Sequence, residues 1–157
     1  MELTVKIDFD MSPLIKLEED VQLLNKKVHV GILNDSPNKD TTNAVIAAAN
    51  EREYGWVTGI GTFVPPRSTI RLPITMKENE IRDASVSKLT TLDEAHINEA
   101  LDTMGATALK AIQEAFSTGG YGQWERNAPS TIEKKGRDEP MVDEGILREA
   151  YSYEVQK

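Results

Sequence analysis

Few side chains in this 157-residue sequence could do chemistry, and each group is quickly bounded. A Gly-Ile-Gly-Thr-Phe-Val run starting at Gly59 looks at first like part of a phosphate-binding loop. Such a loop works because a strand leads into it and its glycines let backbone N–H groups approach a pyrophosphate at the start of a following helix. Here the sequence before the run reads as a helix, the third glycine is missing, and Pro65-Pro66 follows. A kinase-type loop would need another glycine after Phe63 and a strand lysine downstream. No Gly-Lys-Ser/Thr triplet occurs, which excludes a P-loop. The run therefore reads as a structural loop.

Histidine chemistry has only His29 and His96 to draw on. His29 falls inside an apolar strand pattern, and His96 has no His or Cys at metal-ligand spacing. Asp93, Glu94, Glu99 and Asp102 make one helical face acidic, but acid–base catalysis needs a pocket that pushes one carboxyl pKa upward. An exposed helix accounts for them more simply. Ser-x-x-Lys occurs as Ser85-Val-Ser-Lys88 without its companion motifs, and no Gly-x-Ser-x-Gly elbow is present. The sequence predicts no catalytic residue, no metal site, no cofactor and no enzyme.

Composition narrows the class further. The absence of cysteine excludes disulfides and thiolate chemistry and fits the cytosol or a particle assembled there. No apolar run approaches the roughly 20 residues of a membrane span, and the amino terminus lacks the pattern of a secretion signal. Eighteen basic against 26 acidic residues give a net charge of −8. Lys26-Lys27 and Lys134-Lys135-Gly136-Arg137 are too short to make a phosphate-binding face, so tight nucleic-acid binding is not expected.

The length suits one domain over residues 1–157. Leu3, Val5, Ile7 and Phe9 alternate as a one-sided strand, and Ser12-Pro13 opens a helix over 13–25 with Leu14, Leu17, Val21 and Leu24 on one face. Lys27 begins a second strand, apolar enough to be central. Residues 34–40 read as a loop. The Ala-rich segment after Thr42 reads as a helix stopped at Gly55. Pro73 fits the first turn of a further helix, with Ile74, Ile81 and Val86 on one side. The strongest pattern is a long helix at about 92–116, with Ile97, Leu101, Met104, Ala108, Ile112 and Phe116 three or four apart. Gly105 within it costs about 1 kcal/mol relative to alanine, so close packing against another element is expected there. Residues 117–129 read as a flexible loop, Pro129 begins a helical turn ending at Gly136, and Tyr151, Tyr153 and Val155 alternate in a last strand. The class is α+β: a small, mostly antiparallel sheet against helices, with extended loops.

Those loops are long for a compact domain, and long loops usually have a task. They hold Trp56, Phe63, Tyr121 and Trp124, four of the nine aromatics. Exposed aromatics and arginines on loops serve as interface anchors. Trp56, Phe63, Arg67, Arg71, Tyr121 and Trp124 are thus the candidate contacts with a partner or another subunit. On that reading, replacing Trp56 or Arg67 with alanine impairs assembly more than folding. The alternative is that the rings fold back over the small sheet.

Two separated stretches carry a family resemblance. The first is A-A-A-N-E-R-E-Y-G-W followed by V-P-P-R-S-T-I-R; the second is W-x-x-N-A-P-S-T-I-E-K-K-G followed by E-P-M-V-D-E-G-I-L-R-E-A-Y-S-Y-E-V. Together they resemble the tail-component and virion-morphogenesis proteins of long-tailed bacteriophages, over about residues 27–156. Ser68-Thr69 stands where that family often has Pro-Phe, and Glu144 where Thr or Ser is usual. The resemblance implies no catalysis. It implies a virion subunit of the neck, a tail-completion or head-tail joining protein that forms a ring, with six subunits expected, between the connector and the tail tube or terminator. The tail terminator itself is a close alternative, and a non-virion binding module using the aromatic loops is a second. In a ring, the acidity would let DNA pass a negative lumen without sticking.

Overall fold

The computed structural model describes residues 12–33, 43–136 and 145–156. The strand expected at 3–9, the loop at 34–40 and the Glu139-to-Glu144 part of the second stretch lie outside the described residues. The elements in chain order are α1 (Ser12–Leu24), β1 (Lys27–Gly31), α2 (Asn43–Tyr54), β2 (Trp56–Val57), β3 (Phe63–Val64), α3 (Arg71–Met76), α4 (Glu78–Val86), α5 (Glu94–Thr118), α6 (Pro129–Lys135), α7 (Ile146–Ala150) and β4 (Ser152–Gln156). The class is α+β, as the alternating and helical patterns predict.

The long helix organises the rest. Asp93 caps α5 by accepting a hydrogen bond from the backbone N–H of His96 at 3.0 Å, and Gly119 ends it in the left-handed conformation. Ile97, Ala108, Ile112 and Phe116 of the expected stripe are buried, and Ala100, Gly105, Ala111 and Ala115 form a second, small-residue stripe beside it. Small side chains let neighbours approach closely. β1 and β4 pair antiparallel, from Lys27 opposite Gln156 to Gly31 opposite Ser152, and both lie against α5. β4 is the only neighbour of β1 among the described residues, and Lys27 and His29 remain exposed there. The core joins Ile112, Ala115 and Phe116 of α5 to Trp124 and Tyr151.

Gly105 has the reason its position demands. A Cβ built on it would lie 2.2 Å from Cδ2 of Tyr153, so the tyrosine ring rests directly on the helix backbone. The Tyr153 hydroxyl donates to Asp102 Oδ1 at 2.9 Å, one helical turn away. Gly105→Ala should therefore destabilise by about 1–3 kcal/mol, the usual range for overpacking, despite alanine's better helix propensity. In a Tyr153→Ala background the same change should become stabilising by about 1 kcal/mol. Urea unfolding of the four proteins checks it; a Gly105→Ala effect of the same sign in both backgrounds would refute the contact.

Three local expectations change. The glycine run is a β-hairpin: Trp56 pairs with Val64 and Val57 with Phe63, around a turn closed by Thr58 N–H to Thr62 O at 2.8 Å. Its strands are two residues long, too short to show alternation in sequence. The segment after α5 is wound tightly: Gly119, Gly120, Gly122 and also Tyr121 have positive φ. Gly120 N–H reaches Ala115 O at 2.7 Å and Trp124 N–H reaches Gly119 O at 3.0 Å. This turns Trp124 back into the core. Finally, Val21 and Val86, expected on inward faces, are exposed.

Candidate functional site

The chemistry-bearing residues with the most partners gather around Glu53, at the end of α2. Gly55 makes this possible: its φ is +78°, and a Cβ there would stand 2.8 Å from Val64 O. The chain can thus leave α2, form the hairpin and return beside it. Pro65-Pro66 then leads to Arg67, whose N–H donates to Arg52 O at 2.7 Å.

The returning strand places its donors on a buried carboxylate. Glu53 accepts from Ser68 Oγ at 2.7 Å, the backbone N–H groups of Thr69, Ile70 and Arg71 at 2.7, 3.0 and 3.2 Å, and Arg71 Nε at 2.9 Å. A longer bond of 3.5 Å comes from Thr69 Oγ1. Two of these backbone donors, Ile70 and Arg71, are free N–H groups at the start of α3, whose N-cap residue Ile70 has no side chain able to bond them; the next, Leu72 N–H, goes to Ser68 Oγ at 2.9 Å. Glu53 caps that helix from 17 residues away in sequence. Burial pushes the Glu53 carboxyl pKa up, but the hydrogen bonds from Ser68, Arg71 and the backbone outweigh it, and the net shift is downward. This carboxylate stays charged and saturated with donors. It has the features of a structural anchor, not of a general base.

The anchor ties the two separated stretches together. The Thr69 hydroxyl and Tyr151 OH share a hydrogen bond of 2.6 Å. Burial pushes the Tyr151 pKa up to about 12. Trp124 Nε1 donates to Ser68 O at 3.2 Å, and its ring meets Phe116 edge-on at 5.6 Å between centroids. Arg67 donates from Nε to Glu125 O and from Nη2 to Arg126 O, at 2.9 and 3.0 Å. Ser68 and Thr69 are among the groups that hold Glu53.

The six candidate contacts therefore separate. Trp124 is 6% exposed and belongs to the core, because Gly120 turns the chain inward and the ring lies over that glycine. As an exposed loop anchor it is corrected. Tyr121 is half-buried and donates to Ala111 O at 2.8 Å, with Lys77 5.6 Å from its ring centre. Arg67 clamps two carbonyls, so Arg67→Ala should cost about 1–2 kcal/mol of folding stability, against the expectation that it acts mainly in assembly. Arg71 holds both the Glu53 carboxylate and the Glu53 carbonyl while its guanidinium lies 4.8 Å from the Tyr54 ring centre. Trp56 is partly covered, with Arg52 over its ring. Phe63 remains 61% exposed, on the hairpin.

Compared with models of known families, with curated proteins and with solved structures, the chain matches none.

The acidic face at the start of α5 is also structural. Asp93 is the cap, its pKa lowered to about 2 by hydrogen bonds from Thr91, the His96 backbone and the His96 ring. Glu94 meets Lys26 at 3.1 Å, Glu99 meets Lys88 at 2.8 Å, and Asp102 receives Tyr153. Among the described residues, no cluster of three or more His, Asp or Glu could hold a metal ion, and no helix is long and apolar enough to cross a membrane.

Beyond Phe63, which the sequence reading named, what it missed on this hairpin are Val57, Ile60 and Tyr54. Val57 (64%), Ile60 (91%) and Phe63 project from it, and Tyr54 at its base is exposed too. From Tyr54 to Pro66 there is no charged residue, in a chain of which 28% is charged. That uncharged run was a usable signal.

Proposed function

We propose that this chain is a structural ring subunit of the bacteriophage neck, a tail-completion or head-tail joining protein through whose ring DNA passes. The observation that carries the reading is the uncharged hairpin with Val57, Ile60 and Phe63 exposed, mounted on the Glu53 anchor. Exposed apolar side chains grouped on one projecting element mark a protein contact. The anchor, moreover, joins the two stretches on which the family resemblance rests, so those residues make sense as one shared piece of architecture. The net charge of −8 suits a subunit lining a passage for DNA. A structural subunit of this kind needs no catalytic step. A tail terminator would rest on the same features, and the two are separated by whether the ring meets the connector or caps the tube.

Imaging of virions tests the reading: density for this chain is expected at the head-tail junction with sixfold symmetry. Its absence from the particle would refute the proposal. On the same reading, Phe63→Asp should change folding stability by no more than about 0.5 kcal/mol, as exposed substitutions do. It should nonetheless prevent incorporation into particles, measured by complementation. Normal incorporation of a folded Phe63→Asp protein would remove the hairpin from the interface.

A further inference from the structure

A second apolar feature lies at the other end of α5. Among the described residues, a cavity of about 120 Å³ sits between α4 and α5, lined by Leu89, Ile97, Ala100, Leu101 and Met104 with Ser85 and Lys26 at its polar margin. Leu89 is exposed, so the lining reaches the surface. Ser85 Oγ is already committed to Ala100 O at 2.9 Å, which leaves the walls essentially apolar. Room for one branched aliphatic side chain is what such a volume provides.

Charge differs between the two ends in a matching sense. From Arg52 to Arg71, three arginines against Glu53 give +2, whereas Lys77 to Asp102 together with Lys26 of the lining, four basic against seven acidic residues, give −3. The hairpin is tied to the Trp124–Phe116 end of α5 through Arg67 and Ser68, and the cavity ends at Met104. Met104 and Phe116 are twelve positions apart, about 18 Å along the helix. Knob and hole thus occupy opposite ends of one rod.

We infer that the hairpin of one copy, led by Ile60, docks into the α4–α5 cavity of a second copy, making a head-to-tail contact between subunits. A projecting apolar group complementary to a hole elsewhere on the same molecule gives a heterologous contact, which repeats from copy to copy and closes into a ring when the rotation allows. The basic base of the hairpin meets the acidic surround of the cavity, so the contact weakens as salt rises. This contact rests on the ring reading above and names the surfaces that build it.

The cysteine-free sequence offers a direct test. Ile60→Cys and Leu89→Cys are mixed in equal amounts at high protein concentration and low salt, oxidised, and run on a non-reducing gel. The mixed disulfide should exceed the two homodimers about tenfold, because the docked pair has a high effective concentration. The double variant should give a ladder beyond the dimer. A random mixture, or a ladder that stops at two, overturns the contact. Dilute Leu89→Cys should react rapidly with a small maleimide; protection in dilute protein, where the chain's own residues fill the cavity, also overturns it. Sixfold rings at the neck without this cross-link would leave the ring reading standing and sink only the contact. A chain absent from virions that still gives the ladder would do the reverse.

Discussion

Replacing Glu53 with alanine should destabilise the protein by about 3–4 kcal/mol, the loss typical of breaking a buried, fully bonded charge. The change strips the N–H groups of Thr69, Ile70 and Arg71 of their acceptor and leaves Arg71 with only the Glu53 carbonyl from this set. Arg71 is 62% exposed, so its ion pair is screened and supplies the smaller part. In a domain of this size the fall in Tm should be about 6–15 °C. The same carboxylate sets an acid limit. Its folded pKa lies below the ordinary 4.5, so its contribution is present above that pH and is lost as pH falls through the folded value. Asp93 adds a second loss between its ordinary 3.8 and about 2. On the alkaline side, Tyr151 has a raised pKa, so stability held below pH 10 declines as pH rises toward about 12. Glu53→Gln should flatten the upper part of the acid limb. Urea midpoints measured from pH 2 to 7 check this, and an unchanged acid slope in that variant would remove Glu53 from its assigned place.

The second large effect is expected at Trp124. Truncation to alanine removes the edge-on contact with Phe116 and the bond to Ser68 O, and should cost about 3–5 kcal/mol. Phe63→Ala, by contrast, should stay within about 0.5 kcal/mol, because that ring is exposed. Two aromatics that look alike in sequence, each set among glycines, thus divide into core and surface. Equal losses at both positions in chemical denaturation would contradict that division.

The division shows where local sequence carries information. α5 is legible because its apolar positions repeat over 25 residues, and Gly105 because a mid-helix glycine needs a close neighbour. Gly55 and Gly136 are legible as stops, since both take the left-handed backbone that glycine tolerates best. The inward turn of Trp124 was not legible. Its acceptor is 56 residues away and nothing near it in the chain announces the contact. The place of Glu53 was not legible either, since it stands beside Glu51 and Arg52 with nothing local to single it out. Its partners are 15–18 residues downstream, where α3 begins after an isoleucine that cannot cap it and Ser68 Oγ takes only the Leu72 N–H. The exposure of Phe63 was read from its place on a loop and that of Val57 and Ile60 could have been read from the missing charges, whereas the pairing could not, because two-residue strands have no period.

The pairing of β1 with β4 has a consequence for how the molecule is made. Gly31 waits for Ser152, which is added 121 residues later. At about 5–20 residues per second of translation, β1 stands without that partner for roughly 6–25 s. In the last part of that interval, once α5 has been added, its Gly105 groove also lacks the tyrosine that covers it. From the completion of α5 onward the nascent chain therefore exposes a strand edge and an apolar helix face together, and a message truncated between α5 and residue 152 would release a product with both uncovered.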